Sequence, residues 1–142
     1  QGMAYNILVV DDSAIIRKMV TRTIHMAHLP VGDIYQAENG RDALGILGAN
    51  WIDLVLADIN MPVMDGMAML ESMHNDEVMK NVPVIIVSTE GSETKIEKLW
   101  QTGMKAFVKK PFMPETIREV IQNVLGEWED DEAEADTSAD SF

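Results

Sequence analysis

Five short apolar runs, each followed by a segment of helical periodicity, constrain this chain more than any other feature. The runs cover residues 7–10, 34–37, 52–57, 84–87 and 106–108. Gln36 and Asp53 apart, they are apolar at successive positions rather than at every second residue, which is how parallel strands covered on both faces read. Between them the spacing predicts helices. Ser13 caps the first, whose inner face is predicted to carry Ile15, Ile16, Met19, Val20, Thr23 and Ile24. The second covers 42–47 and is stopped by Gly48, and the third follows Asp65-Gly66 with Met67, Leu70 and Met73 turned inward. The fourth covers 92–101 and ends at Gly103, and the fifth covers 115–125 after Pro114. Strict strand–helix alternation of this kind folds as one α/β layer structure with helices on both faces of a parallel sheet.

The 142 residues suffice for one domain, and 46% hydrophobic residues supply its core. No apolar run approaches the roughly 20 residues that cross a bilayer, so no membrane insertion is expected and the chain reads as cytoplasmic. The absence of cysteine removes disulfides, thiolate metal sites and a Cys nucleophile. A net charge of −13, from 24 acids and 11 bases, repels a phosphate backbone, so no nucleic-acid partner is expected. Eight of the acids lie in residues 127–142, which contain no base. That segment reads as an acidic disordered tail that solubilises the domain, with a docking peptide as the alternative. Gln1-Gly2 reads as the remnant of a cleaved tag.

In open α/β sheets, ligands bind beyond the carboxyl ends of the strands where the strand order reverses. The reactive residues of this chain fall there: Asp11 and Asp12 after the first strand, Asp58 after the third, Ser88 after the fourth and Lys110 after the fifth. The flavodoxin-like doubly wound order 2-1-3-4-5 makes the first and third strands neighbours, and three carboxylates then converge and call for a cation. Mg²⁺ suits such hard oxygen donors and is commonly shared with phosphate, and no His or Cys cluster offers a softer metal a home. A carboxylate can accept a phosphoryl group, Lys110 can pair with it before and after transfer, and the Ser88 hydroxyl can donate to a phosphoryl oxygen. His25, His28 and His74 read as surface or structural residues, and Trp51 and Trp100 as packing residues.

Asp11-Asp12 after an apolar strand, Asp58 before Asn60-Met61-Pro62 and Asp65-Gly66, Ser88 after Val-Ile-Ile-Val, and Lys110-Pro111-Phe112 together resemble the receiver domains of bacterial two-component response regulators, the single-domain chemotaxis type above all. The likeness covers residues 6–125 and places the receiver domain at 3–126. It implies a Mg²⁺-dependent aspartyl-phosphorylation switch, not an enzyme beyond self-phosphorylation and self-dephosphorylation. Asp58 would be the phosphoacceptor, and Asp11, Asp12, Asp58 and the Asn60 carbonyl would be the metal ligands. Ser88 and Lys110 would hold the phosphoryl group. Ser88 and Phe107 would form the switch pair, although Phe107 lacks the hydroxyl of the tyrosine often found there. Asn60 and Glu90 would tune a short phosphoryl lifetime. The implied partners are a histidine kinase or histidine phosphotransfer domain as donor, and a protein target on the face of the fourth helix, fifth strand and fifth helix, around Glu90, Lys95, Lys98, Leu99 and Trp100. Two other classes fit less well. An acid-nucleophile phosphatase would want Asp-x-Asp where Asp58-Ile59-Asn60 stands, and a flavin carrier would want a hydroxyl-rich loop in place of Asp11-Asp12.

Overall fold

Period-two alternation within each strand divides the core into two layers. Leu8, Val10, Val55, Ala57, Val84 and Ile86 face one side of the sheet. Ile7, Val9, Leu54, Leu56, Ile85, Val87 and Val108 face the other. The computed structural model describes residues 4–89 and 91–126; the expected tag remnant, Glu90 and the acidic segment 127–142 lie outside the described residues. Strands β1 (Tyr5–Val10), β2 (Val31–Ala37), β3 (Leu54–Ala57), β4 (Val84–Ser88) and β5 (Ala106–Lys109) alternate with helices α1 (Ala14–Met26), α2 (Gly40–Ala49), α3 (Gly66–His74), α4 (Glu93–Thr102) and α5 (Pro114–Leu125). All four pairings are parallel, in the order β2-β1-β3-β4-β5. The doubly wound fold read from the sequence is therefore the one observed. Helices α1 and α5 cover one face, and α2, α3 and α4 cover the other. Among the described residues, no helix is long and apolar enough to cross a membrane.

Local chemistry sets most of the helix ends. The side chains of Ser13, Asn39, Asp65 and Ser92 each accept a backbone N–H in the first turn of the helix they precede, satisfying donors that have no partner within the helix. Gly103 ends α4 at φ 117°, a left-handed conformation that a side chain would strain. Gly48 departs from expectation and does not stop α2. The helix runs on to Ala49 and closes at Asn50, whose side-chain amide donates to the Ile46 carbonyl at 3.1 Å.

Three packing expectations are corrected. On α1 only Val20 and Ile24 are buried, while Ile15 is 72% and Met19 57% exposed, so the inner face is narrower than the spacing implied. Ile52 is buried but precedes β3, because Asp53 turns back to accept the Asn6 backbone N–H (2.8 Å) and the Trp51 indole N–H (2.9 Å). Trp51 itself stands 77% exposed and Trp100 is also exposed, so neither fills the core. The three histidines are exposed, as expected.

Candidate functional site

The ends of β1 and β3 are adjacent, with Val10 level with Ala57, so Asp11 and Asp58 emerge side by side. The Asp58 N–H donates to the Val10 carbonyl (3.0 Å) and the Asp11 N–H to the Ala37 carbonyl (3.1 Å), which ties both residues to the sheet rather than to a free loop. Asp11 is buried, at 4% exposure; its Oδ1 accepts the Ser13 N–H (2.9 Å) and its carbonyl accepts Arg17 Nη1 (2.6 Å). Arg17 also holds Gln36 on β2 through Nε (2.9 Å) and so fixes the first strand–helix turn. The sequence offered no sign of this role, because one turn after Ser13 Arg17 reads as an ordinary helix residue.

Lys110 reaches the site from the end of β5. Its backbone N–H donates to the Ser88 carbonyl (2.9 Å), and its Nζ lies 3.0 Å from Asp11 Oδ2 and 3.5 Å from Asp58 Oδ2. One ammonium thus serves two carboxylates in a partly dehydrated cleft, where charge-assisted hydrogen bonds are stronger than on an open surface. Asp58 Oδ1 accepts the Ile59 N–H at 2.7 Å. Ser88 is 1% exposed at the end of β4 and lies level with Lys109 of β5. Phe107, level with Ile86, packs half-buried against the layer beneath α3 and α4.

The β3–α3 loop is bound to this edge from several sides. Gly66 donates its N–H to the Ile59 carbonyl (2.7 Å), and a Cβ at this position would lie 2.3 Å from the Asp58 carbonyl oxygen, so only glycine permits the approach. Val63, at φ 68°, occupies a left-handed conformation that β-branched residues rarely adopt, within a tight turn closed by the Met64 N–H on the Pro62 carbonyl (2.7 Å). The Met64 carbonyl then accepts the Gly40 N–H (2.8 Å), which joins this loop to the start of α2.

Of the residues singled out from sequence, the structure brings Asp11, Asp58, Lys110 and Ser88 to one edge. The expected convergence of three carboxylates is not observed. Among the described residues, no three Asp, Glu, His or Cys side chains gather closely enough to hold a metal, and Asp12 is exposed. Lys110 supplies the positive charge between Asp11 and Asp58, and Asp12 keeps its hydration on the exposed side. The donors present are nonetheless hard oxygens, two carboxylates just past the ends of neighbouring strands with the Asn60 carbonyl three residues past β3, and these match Mg²⁺ in chemical type. Leu99, expected on the outer surface of α4, is instead fully buried. Asn60 is exposed, and Glu90 lies outside the described residues.

A 2-1-3-4-5 parallel sheet that presents two acids, a buried hydroxyl and a lysine at its carboxyl edge defines an α/β domain built around an aspartate. The chain belongs to the response regulator receiver domain family, whose model matches residues 7–122. It is 34% identical over 121 residues to the chemotaxis protein CheY1 of Helicobacter pylori, a match covering 84% of this chain and 96% of that protein. Among solved structures, the chemotaxis response regulator CheY4 of Vibrio cholerae superposes with a TM-score of 0.77 at 32% identity, covering 86% of this chain and 99% of that one. A CheX–CheY–BeF3–Mg²⁺ complex from Borrelia burgdorferi matches with a TM-score of 0.78 at 29% identity, covering 87% of this chain and 90% of that one. The chain is a receiver domain of the CheY type, a two-component signalling domain rather than a classical enzyme.

Proposed function

We propose that the chain is a phosphorylation switch in which Asp58 accepts a phosphoryl group in the presence of Mg²⁺. The observation that carries this reading is the single lysine held between two carboxylates, Lys110 Nζ at 3.0 Å from Asp11 and 3.5 Å from Asp58. Phosphoryl transfer to a carboxylate needs an acceptor oxygen, charge neutralisation and positioning, and little else. Asp58 Oδ2, the oxygen that faces Lys110, is the acceptor, and Oδ1 stays with the Ile59 N–H. A Mg²⁺ ion that draws the exposed Asp12 in beside Asp11 and Asp58 and takes the Asn60 carbonyl would supply the neutralising charge. Lys110 then exchanges a carboxylate for a phosphoryl oxygen as its partner, and the Ser88 hydroxyl donates to another. The Borrelia relative is described in complex with BeF3, Mg²⁺ and CheX, which supports a phosphoryl-type ligand, this metal and a protein partner for this chain too.

The donor is a histidine kinase or histidine phosphotransfer domain, and the output is a protein partner on the face made by α4, β5 and α5. The coupling runs from Ser88 to Phe107: a hydroxyl drawn toward the phosphoryl group leaves a gap, and the half-buried ring turns in to fill it. Both arrangements pre-exist and the phosphoryl group biases them. Lys95, Lys98 and Trp100 are the exposed α4 residues through which a partner reads the change. Asn60 and Glu90 make the phosphoryl form short-lived.

Incubation with an acyl phosphate and Mg²⁺ tests the reading. The wild-type chain gains one phosphoryl mass, Asp58→Asn gains none, and the label decays well within hours at neutral pH. Steady turnover of the donor without labelled protein would instead indicate a phosphatase.

A further inference from the structure

Among the described residues, α1 is the only α-helix without an acidic residue. On a chain of net charge −13, it concentrates Arg17, Lys18 and Arg22 in two turns, with His25 a turn further on. Arg17 is engaged with the first strand–helix turn, whereas Lys18, Arg22 and His25 are exposed and enter no ion pair or side-chain hydrogen bond among the described residues. Between these side chains run Ile15, Met19 and Met26, all more than half exposed and spaced to form one stripe along the helix. Lys18, Thr21, Arg22, His25, Met26 and His28 line a shallow groove there. A surface both cationic and apolar fits a ligand both anionic and apolar.

Residues 127–142 have that composition: eight carboxylates and no base, with Trp128 near one end and Phe142 at the other. We infer that this segment docks along the exposed face of α1 in the same molecule. Reach permits it. Sixteen extended residues span roughly 50 Å, whereas the 13 residues of α1 cover only about 20 Å. The starting point is also near, because α5, which leads into the segment, packs against α1, and Arg118 of α5 donates to the Ala27 and His28 carbonyls at the end of α1. Other cationic surfaces serve less well: Lys95 and Lys98 share α4 with Glu93 and Glu97, and Lys80 is paired with Glu77.

The absence of cysteine allows a direct test on the full chain. A nitroxide spin label is attached at Ser138→Cys, and amide signal loss is read across the ¹⁵N-labelled domain. The expected result at low salt is selective loss along residues 15–28, largely abolished at 1 M salt, where screening shortens to about 3 Å, and abolished in Lys18→Glu/Arg22→Glu. Loss spread evenly over the domain, or centred on α4 and β5, would overturn the inference. So would loss seen only when unlabelled-isotope, spin-labelled chains are mixed with ¹⁵N chains, since that places the segment on a second copy.

Discussion

Asp58 is held by its neighbours more tightly than a surface carboxylate needs to be. Its N–H is on the Val10 carbonyl, its Oδ1 on the Ile59 N–H, its Oδ2 faces Lys110, and Gly66 lies against its own carbonyl. Gly66→Ala is therefore expected to destabilise the domain by about 1–3 kcal/mol, the usual range for overpacking. Urea unfolding followed by tryptophan fluorescence would check it, and an unchanged midpoint would mean that the β3–α3 loop yields without cost. Removal of the Asp58 charge has the opposite character. Asp58→Asn keeps the volume and leaves Lys110 its closer partner Asp11, so the variant is expected to stay folded with a midpoint close to that of wild type.

At the scale of elements, β3, β4 and the second half of β1 are legible in the sequence because burial on both faces makes residues 7–10, 54–57 and 84–87 apolar throughout, and β5 is legible from the short apolar run 106–108. β2 begins three residues before its apolar run, because Val31-Gly32-Asp33 are partly or fully exposed at the sheet edge and lack the apolar signature. The face of α1 was read too wide because helical spacing reports which residues share a side, not how much of that side is covered. Ser13 was legible as a cap, and Ser13→Ala is expected to cost about 1 kcal/mol, measurable as a lower thermal midpoint. The 3-10 turn at Met79–Asn81 is opened by Asp76, whose carboxylate accepts the Met79 and Val78 N–H groups at 2.9 Å. Those bonds hold its pKa below the ordinary value of 3.8. A depressed carboxylate stabilises above its unfolded pKa, so this turn keeps its support at neutral pH and loses it as pH falls below 3.8 toward the folded value. An NMR titration should show the Val78 and Met79 amides moving together with the Asp76 carboxyl, below pH 3.8.

For the molecule as a whole, the meeting of Asp11, Asp58, Ser88 and Lys110 at one edge was legible once the strand order was chosen, because in a doubly wound sheet the carboxyl edge is where strand-terminal residues meet. Side-chain direction was not legible in the same way. Asp12 follows Asp11 in sequence yet faces water, Leu99 lies under α4 rather than on it, and Arg17 holds Asp11 through a contact no motif announces. The switch reading predicts a response that crosses the molecule. With beryllofluoride and Mg²⁺, amide shifts should extend from Asp58 and Ser88 to Phe107 and the exposed side of α4. Shifts confined to the site would remove the Ser88–Phe107 coupling while leaving the acceptor untouched. The acceptor itself is tested most directly by reducing the freshly phosphorylated chain with borohydride, which converts an aspartyl phosphate to homoserine, and locating that residue by mass spectrometry. Homoserine at position 58 alone is the predicted result, and homoserine at position 11 or 12 would contradict the account.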